Sequence, residues 1–273
     1  MFPGSFAFPQ GRITFQPMTE GLYGGDVLSL VTNSAGHIFA GTIGAGIFRS
    51  TDNGQTWVPI NNGLTNSDVT SLAINRNGDL FAGTNGGGVF RSTDGGANWA
   101  AVNEGLSTTN VLSLGISPQG FLFAGTLLGG IFRSGDNGKT WTESGRGLTF
   151  LYGQTVLRFA FNSTGALFAG TGDGVYRSTD NGTSWKQVNT GLPSGSLAFA
   201  LTANASDQLF VGTSAFLGPN SANGIFRSTT NGDSWTAINT GLPTNEKGLP
   251  ANEMVTLIVN NSGDLFVGTN RAG

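Results

Sequence analysis

A chain of 273 residues with a formal charge of −3, a pI near 5.0 and only three lysines (Lys139, Lys186, Lys247) has no basic stripe for phosphate contacts, which excludes the usual nucleic-acid binder. The absence of cysteine excludes disulfides, thiolate metal sites and a thiol nucleophile. Glycine at 45 residues, with charge at only 11 %, is the make-up of short strands joined by tight turns, and no stretch approaches the roughly 20 apolar residues of a membrane-spanning helix.

The chain opens on half a unit. Residues 5–8 match 47–50, and residues 15–22 match 57–64, both at an offset of forty-two, so the N-terminus predicts two strands without the two that should precede them. Residues 1–10 carry neither the basic start nor the long apolar run of a signal peptide. Low lysine with abundant Asn, Thr and Gly nonetheless points to an exported protein, its targeting segment removed or never present.

A complete unit follows every forty-two residues or so. In the second unit, strands A, B, C and D are expected at residues 69–75, 79–84, 88–92 and 98–103. Asn75-Arg76-Asn77-Gly78 is a hairpin turn between A and B, and Asp94-Gly95-Gly96 turns C into D. Four strands at this period are the signature of a propeller blade. Phe39, Phe81, Phe123, Phe168, Phe210 and Phe266 recur in strand B and count six blades.

The C-terminal residues 254–260 and 264–269 supply only strands A and B. The expectation is an all-β, six-bladed β-propeller forming one domain over residues 1–273. Blade 6 comes from residues 252–273 plus 1–22, and blades 1–5 lie within 23–251. Closure of this kind leaves no unpaired sheet edge, and a monomer is expected. Six regular units leave about 21 residues over, and these fall after Leu148, within 214–224, within 243–253 and at the joined ends. All are B–C or D–A connections, which share one face of an up-and-down blade, so that face is the expected binding face.

Each unit also carries Ser-x-Asp-x-Gly-x-Thr/Ser/Asn-Trp, ending at Trp57, Trp99, Trp141, Trp185 and Trp235. In this motif the chain resembles the Asp-box, or BNR-repeat, propellers, a grouping of sialidases, xyloglucan-degrading glycoside hydrolases, sortilin-type receptors and a photosystem II assembly factor. The resemblance implies a structural role for Asp52, Asp94, Asp136 and Asp180 and for the five tryptophans. The chemistry agrees, since Asp can accept turn N–H groups and Trp can pack between blades. Thr230 replaces Asp in the fifth box and the copy at residues 8–15 keeps little but its final aromatic, so both turns should be weaker. The Arg-Ile-Pro segment of sialidases is missing at Gly11-Arg12-Ile13-Thr14, and no sialidase site is expected. Arg49, Arg91, Arg133, Arg177 and Arg227 recur once per blade, as packing or surface ion-pair residues should. His37, the single histidine, holds a turn position and leaves no Ser-His nucleophile to build.

Departures from the repeat nominate the site. The first position of strand A carries Asp26, Asp68, Asn110, Thr155, Leu197 and Glu253, so Glu253, Asp26 and Asp68 are expected to form an acidic arc at the channel mouth. The fourth position carries Ser29, Ser71, Ser113, Arg158, Ala200 and Thr256, with one cation among small residues. Arg158 either pairs with a channel carboxylate or fixes an anionic or polyhydroxyl ligand. Tyr23, Phe150, Tyr152 and Phe216 fall in irregular loops, where they stack on a ligand or pin the loop. The reading is a non-catalytic binding or scaffold propeller for a glycan or protein partner, with Tyr23, Asp26, Asp68, Tyr152, Arg158, Phe216 and Glu253 as contacts and no cofactor or metal. The alternatives are a glycoside hydrolase or polysaccharide lyase using Asp26, Asp68 or Glu253, and a purely structural or re-cut repeat propeller.

Overall fold

The computed structural model describes residues 19–149, 151–215, 224–242, 253–260 and 262–270. They form an all-β, propeller-like array of antiparallel sheets. Blade 1 comprises β1 (Val27–Thr32), β2 (Ile38–Thr42), β3 (Gly46–Ser50) and β4 (Val58–Pro59). Blade 2 comprises β5 (Val69–Ile74), β6 (Leu80–Thr84), β7 (Gly88–Ser92) and β8 (Ala100–Ala101). Blade 3 has β9 (Val111–Ile116), β10 (Leu122–Thr126), β11 (Ile131–Ser134) and β12 (Thr142–Glu143). Blade 4 has β13 (Val156–Phe161), β14 (Leu167–Thr171), β15 (Gly174–Ser178) and β16 (Lys186–Gln187). Blade 5 has β17 (Ser196–Ala203), β18 (Leu209–Ala215), β19 (Gly224–Ser228) and β20 (Thr236–Ala237). A last sheet holds β21 (Glu253–Val259) and β22 (Leu265–Asn270). The third and fourth strands expected to complete it fall mostly on residues 1–18, outside the described residues.

The inner strands pack in chain order, β1 on β5, β5 on β9, β9 on β13, β13 on β17 and β17 on β21. Each inner strand shifts register within its first few residues, as between Val69 and Ser71 in blade 2 and between Ala198 and Ala200 in blade 5. Strand D is much shorter than the spacing predicts, only Ala100–Ala101 in blade 2. The reason is competition from the neighbouring blade: Trp99 N–H donates to Asn62 O rather than to the sheet it follows.

The core lies between blades. Phe81 of blade 2, for example, shares a cluster with Val111, Leu122, Phe132 and Trp141 of blade 3. An aromatic on strand B with nothing beside it would waste its apolar area, so each sheet needs the next one. The array's two flanks show the contrast. Phe39 and Leu72 are 1 % and 5 % exposed, whereas Phe266 and Leu30, at the equivalent positions of the last sheet and of blade 1, are 46 % and 60 % exposed.

Candidate functional site

The box motif is an architectural device. Asp52 Oδ1 accepts the Ser50 hydroxyl at 2.8 Å and Thr56 N–H at 2.9 Å, while Oδ2 accepts the Thr56 hydroxyl at 2.6 Å. The Thr56 hydroxyl and N–H, then Ser50, hold the Asp52 carboxyl at about 2. Asp94, Asp136 and Asp180 repeat the arrangement and sit at about 2 as well. In the fifth box Thr230 Oγ1 still accepts Ser234 N–H at 2.9 Å, but without a charge or a second carboxylate oxygen.

The box tryptophans tie each blade to the one before it. Their indole N–H groups donate to the carbonyl just past strand D of the preceding blade, Trp99 to Ile60, Trp141 to Val102, Trp185 to Ser144 and Trp235 to Val188. The recurrent arginines tie each blade to the one after it. Arg49, Arg133 and Arg177 donate to the carbonyls of Gly95, Asn181 and Asn231 in the following box. Arg91 instead pairs with Asp79 at 3.0 Å, and Asp79 also accepts from Asn75 and Asn137. These contacts account for four of the five recurrent arginines without a ligand; the fifth, Arg227, is exposed.

On the opposite face, the first position of strand A is a backbone clamp. The carbonyls of Asp26, Asp68, Asn110 and Thr155 accept N–H groups from Ile43, Asn85, Leu127 and Gly172 at the start of each B–C loop. Because the carbonyl does this work, the side chain is free to vary. Asp26 is exposed and Asp68 half-buried, and neither carboxylate forms an ion pair among the described residues. The side chain of Glu253 and all of Phe216 and Phe150 lie outside the described residues.

The fourth position of strand A links neighbouring blades. Ser29 and Ser71 Oγ accept the N–H groups of Leu72 and Leu114 in the next blade at 2.9 and 3.0 Å, and Ser113 Oγ donates to Val156 O at 3.0 Å. Arg158 interrupts this ladder. Its Nη1 donates to the Leu157 carbonyl at 2.7 Å, and no described carboxylate pairs with it. Burial pushes its pKa down from the ordinary arginine value. The expected channel carboxylate is therefore not among its described partners.

The loop aromatics divide their surface. Tyr23 stands edge-on to Phe48, centroids 5.1 Å apart, yet remains 62 % exposed. Tyr152 lies on a 3-10 turn, Leu151–Gln154, with its carbonyl accepting Thr155 N–H and its ring half-exposed. Each pins its loop and still presents a face to solvent.

Sequence reasoning missed a polar cluster beneath this turn. Tyr176 replaces the strand-C phenylalanine of other blades, and its hydroxyl donates to Thr149 Oγ1 at 3.0 Å and lies 3.2 Å from Asp173 Oδ2. Thr149 and Gln187 also donate to that Asp173 oxygen. Burial, with Asp173 alongside, pushes the phenol's pKa up. The signal was present as Tyr for Phe within the repeat. Blade 4 thus gathers Arg158, Tyr152 and this cluster. The residues described also include no group of three or more His, Cys, Asp or Glu able to hold a metal ion.

Grooves occur on both faces. One of 280 Å³ between blades 3 and 4 is lined by Ser107, Glu143 and Gln154 on the loop face. A larger one of 730 Å³ lies on the box face, over the A–B turns of blades 2 and 3 and the box of blade 3. The sequence did not nominate it, because its lining is spread over three blades.

Sheets joined in this way, locked by box tryptophans, define a propeller-like repeat protein. The chain resembles the Asp-box, BNR-repeat propellers: the BNR/Asp-box repeat model matches residues 48–59, and the sortilin-Vps10 model matches residues 129–261. No curated protein sequence matches the chain. Among solved structures it is similar to an ancestral GH74 enzyme, with a TM-score of 0.72 and 20 % identity over 94 % of this chain and 36 % of that one. It is also similar to YCF48 bound to D1 peptide, with a TM-score of 0.62 and 16 % identity over 89 % of this chain and 74 % of that one. The extracellular domain of BT4673 from B. thetaiotaomicron aligns with a TM-score of 0.62 and 14 % identity over 92 % of this chain and 38 % of that one. The chain thus spans about a third of the GH74 enzyme's length, and at these identities the likeness is one of fold. No described helix is long and apolar enough to cross a membrane.

Proposed function

We propose that the protein is a non-catalytic binding propeller that takes a glycan or protein partner on its B–C/D–A loop face, through Tyr23, Asp26, Asp68, Tyr152, Arg158, Phe216 and Glu253. The observation that carries this reading is Arg158, a channel cation whose described hydrogen bonding is a single donation to Leu157 O. A guanidinium has five donors and seldom leaves them unused in a confined site. Half-exposed Tyr152 in the same blade supplies a ring against which a sugar or side chain can stack.

The same reading takes the chain as one six-bladed domain, monomeric and exported, with residues 1–22 completing the sheet of β21 and β22. Residues at the start of the described chain support that completion. Trp57 N–H donates to Glu20 O at 2.9 Å just as Trp99 donates to Asn62 O, so Glu20 stands where the end of a preceding blade belongs.

The test is a glycan array and a protein pull-down with the native chain and Arg158→Ser, together with hydrolysis and lyase assays on polysaccharides. Binding that falls about tenfold in the variant at unchanged Tm supports the reading. Unchanged binding removes Arg158 from the site, and a large drop in Tm assigns it to packing. Bond cleavage lost on substitution of Asp26, Asp68 or Glu253 would replace binding with hydrolase or lyase chemistry, and silence in every assay would favour a structural propeller.

A further inference from the structure

The groove on the box face has a corner that the protein fills for itself in one place and leaves open in another. Between blades 4 and 5, Asp207 reaches back onto the A–B turn of blade 4. Its Oδ1 accepts Ser163 N–H at 2.7 Å and its Oδ2 accepts the Ser163 hydroxyl at 2.6 Å. Between blades 2 and 3 the residue equivalent to Asp207 is Gly120, and the one equivalent to Ser163 is Arg76. Gly120 and Asp207 both have left-handed backbone, at φ +89° and +60°, so Gly120 holds the same kind of turn conformation without a carboxylate. Arg76 is exposed, and neither its backbone N–H nor its guanidinium has a described partner. It is a cation at a turn position held elsewhere by Ser34, Pro118, Ser163, Ala205 and Asn261.

We propose that this corner of the 730 Å³ groove is a second binding site, on the face opposite the loops, and that it takes the carboxylate of an acidic, uronate-type oligosaccharide. The ligand carboxylate occupies the place of the Asp207 side chain, accepting Arg76 N–H and pairing with the guanidinium in the two-pronged manner that suits carboxylates. The volume is that of an ordinary small-ligand cleft. Its wall favours a sugar over an apolar acid, because Asn77 and Gln119 present amides that both donate and accept toward vicinal hydroxyls. Phe161 and Ile116 give a partly apolar floor for a ring face. Asp136 also lines the groove, but both its oxygens are spent within its own box on Ser134 and Thr140.

The test is titration calorimetry of the full chain with trigalacturonate, with methyl-esterified trigalacturonate and with an acidic tripeptide. Three variants accompany it: Arg76→Ser, Gly120→Asp and Gly120→Ala. A Cβ on Gly120 meets nothing within 4 Å, so Gly120→Asp can supply the Asp207-like plug, and Gly120→Ala controls for the backbone. Trigalacturonate should bind, at least about tenfold tighter than its ester, with about tenfold loss in Arg76→Ser, near-complete loss in Gly120→Asp and little change in Gly120→Ala. No binding at up to about 10 mM, equal binding of the ester, or binding indifferent to Arg76→Ser and Gly120→Asp would overturn the site. Tighter, Arg76-dependent binding of the tripeptide would overturn its assignment to a sugar.

Discussion

The indole Nε1 of Trp141 donates to the carbonyl of Val102 in the preceding blade at 2.8 Å. The same tryptophan's carbonyl oxygen closes against Gly105, whose φ of +86° leaves no room for a Cβ. One residue thus fixes its blade's distance from its neighbour by side chain and backbone together. Trp141→Phe should cost about 1–2 kcal/mol for the lost bond and the orphaned carbonyl, and Trp141→Ala about 3–5 kcal/mol through the cavity. Gly105→Ala, with little volume change, should still cost more than about 1 kcal/mol. Urea denaturation of the three variants gives the ranking.

Acid should weaken the boxes. Folded Asp52, Asp94 and Asp136 lie at about 2, held down by the Thr or Asn four residues on and by the box serine. At Asp180 partial burial pushes the other way, and the Ser184 and Ser178 bonds outweigh it to reach about 2. The folded value lies below the 3.8 of the unfolded chain, so this contribution is fully present above pH 3.8 and is lost as pH falls through about 2. Melting temperature should therefore decline between those values. Thr230→Asp should raise Tm at pH 7 and deepen the acid decline; a Tm that is flat with pH would show the boxes to be electrostatically idle.

The two described ion pairs should differ in weight. Arg91 and Asp79 are 20 % and 12 % exposed in their side chains, whereas Asp233, the partner of Arg177, is 67 % exposed. Asp79→Ala strands Arg91, whose Nε is already buried without a partner, and should cost about 2–4 kcal/mol. Asp233→Ala should cost under about 1 kcal/mol, because solvent screens that pair. Thermal melts at low and high salt separate the two.

If the ends close on each other, Leu30 and Phe266 become neighbours in the way that Leu72 and Phe39 already share a cluster. These 273 residues include no cysteine, so Leu30→Cys with Phe266→Cys gives a clean cross-link test. Direct closure predicts an intramolecular disulfide in a monomer and a raised Tm. Free thiols under oxidising conditions, or disulfide-linked dimers, would count against it.

The repeat made strands, turns and boxes legible, because the contacts that build them are short in sequence. Ser50 bonds Asp52 two residues on, and Asp52 bonds Thr56 four residues on. Periodic residues carry such local rules wherever they occur. The inter-blade role of the tryptophans was inferable for the same reason, since a large aromatic repeated once per sheet must find its cover outside that sheet. The shortness of strand D was not legible, because Trp99 N–H has two sheets to choose between and only packing decides.

The sequence by itself determined the class of fold, the blade period and which positions break it, Arg158 and the Tyr176 position among them. The tertiary structure alone decided what those positions meet. Arg49 finds Gly95 O across 46 residues and Arg177 finds Asn231 O across 54, while the described partner of Arg158 is the carbonyl of its own neighbour, Leu157. The corner closed by Asp207 and left open at Gly120 is likewise invisible in one dimension. A hydrogen bond or ion pair is set by distances of about 3 Å, and sequence separation fixes those within a turn but not between blades.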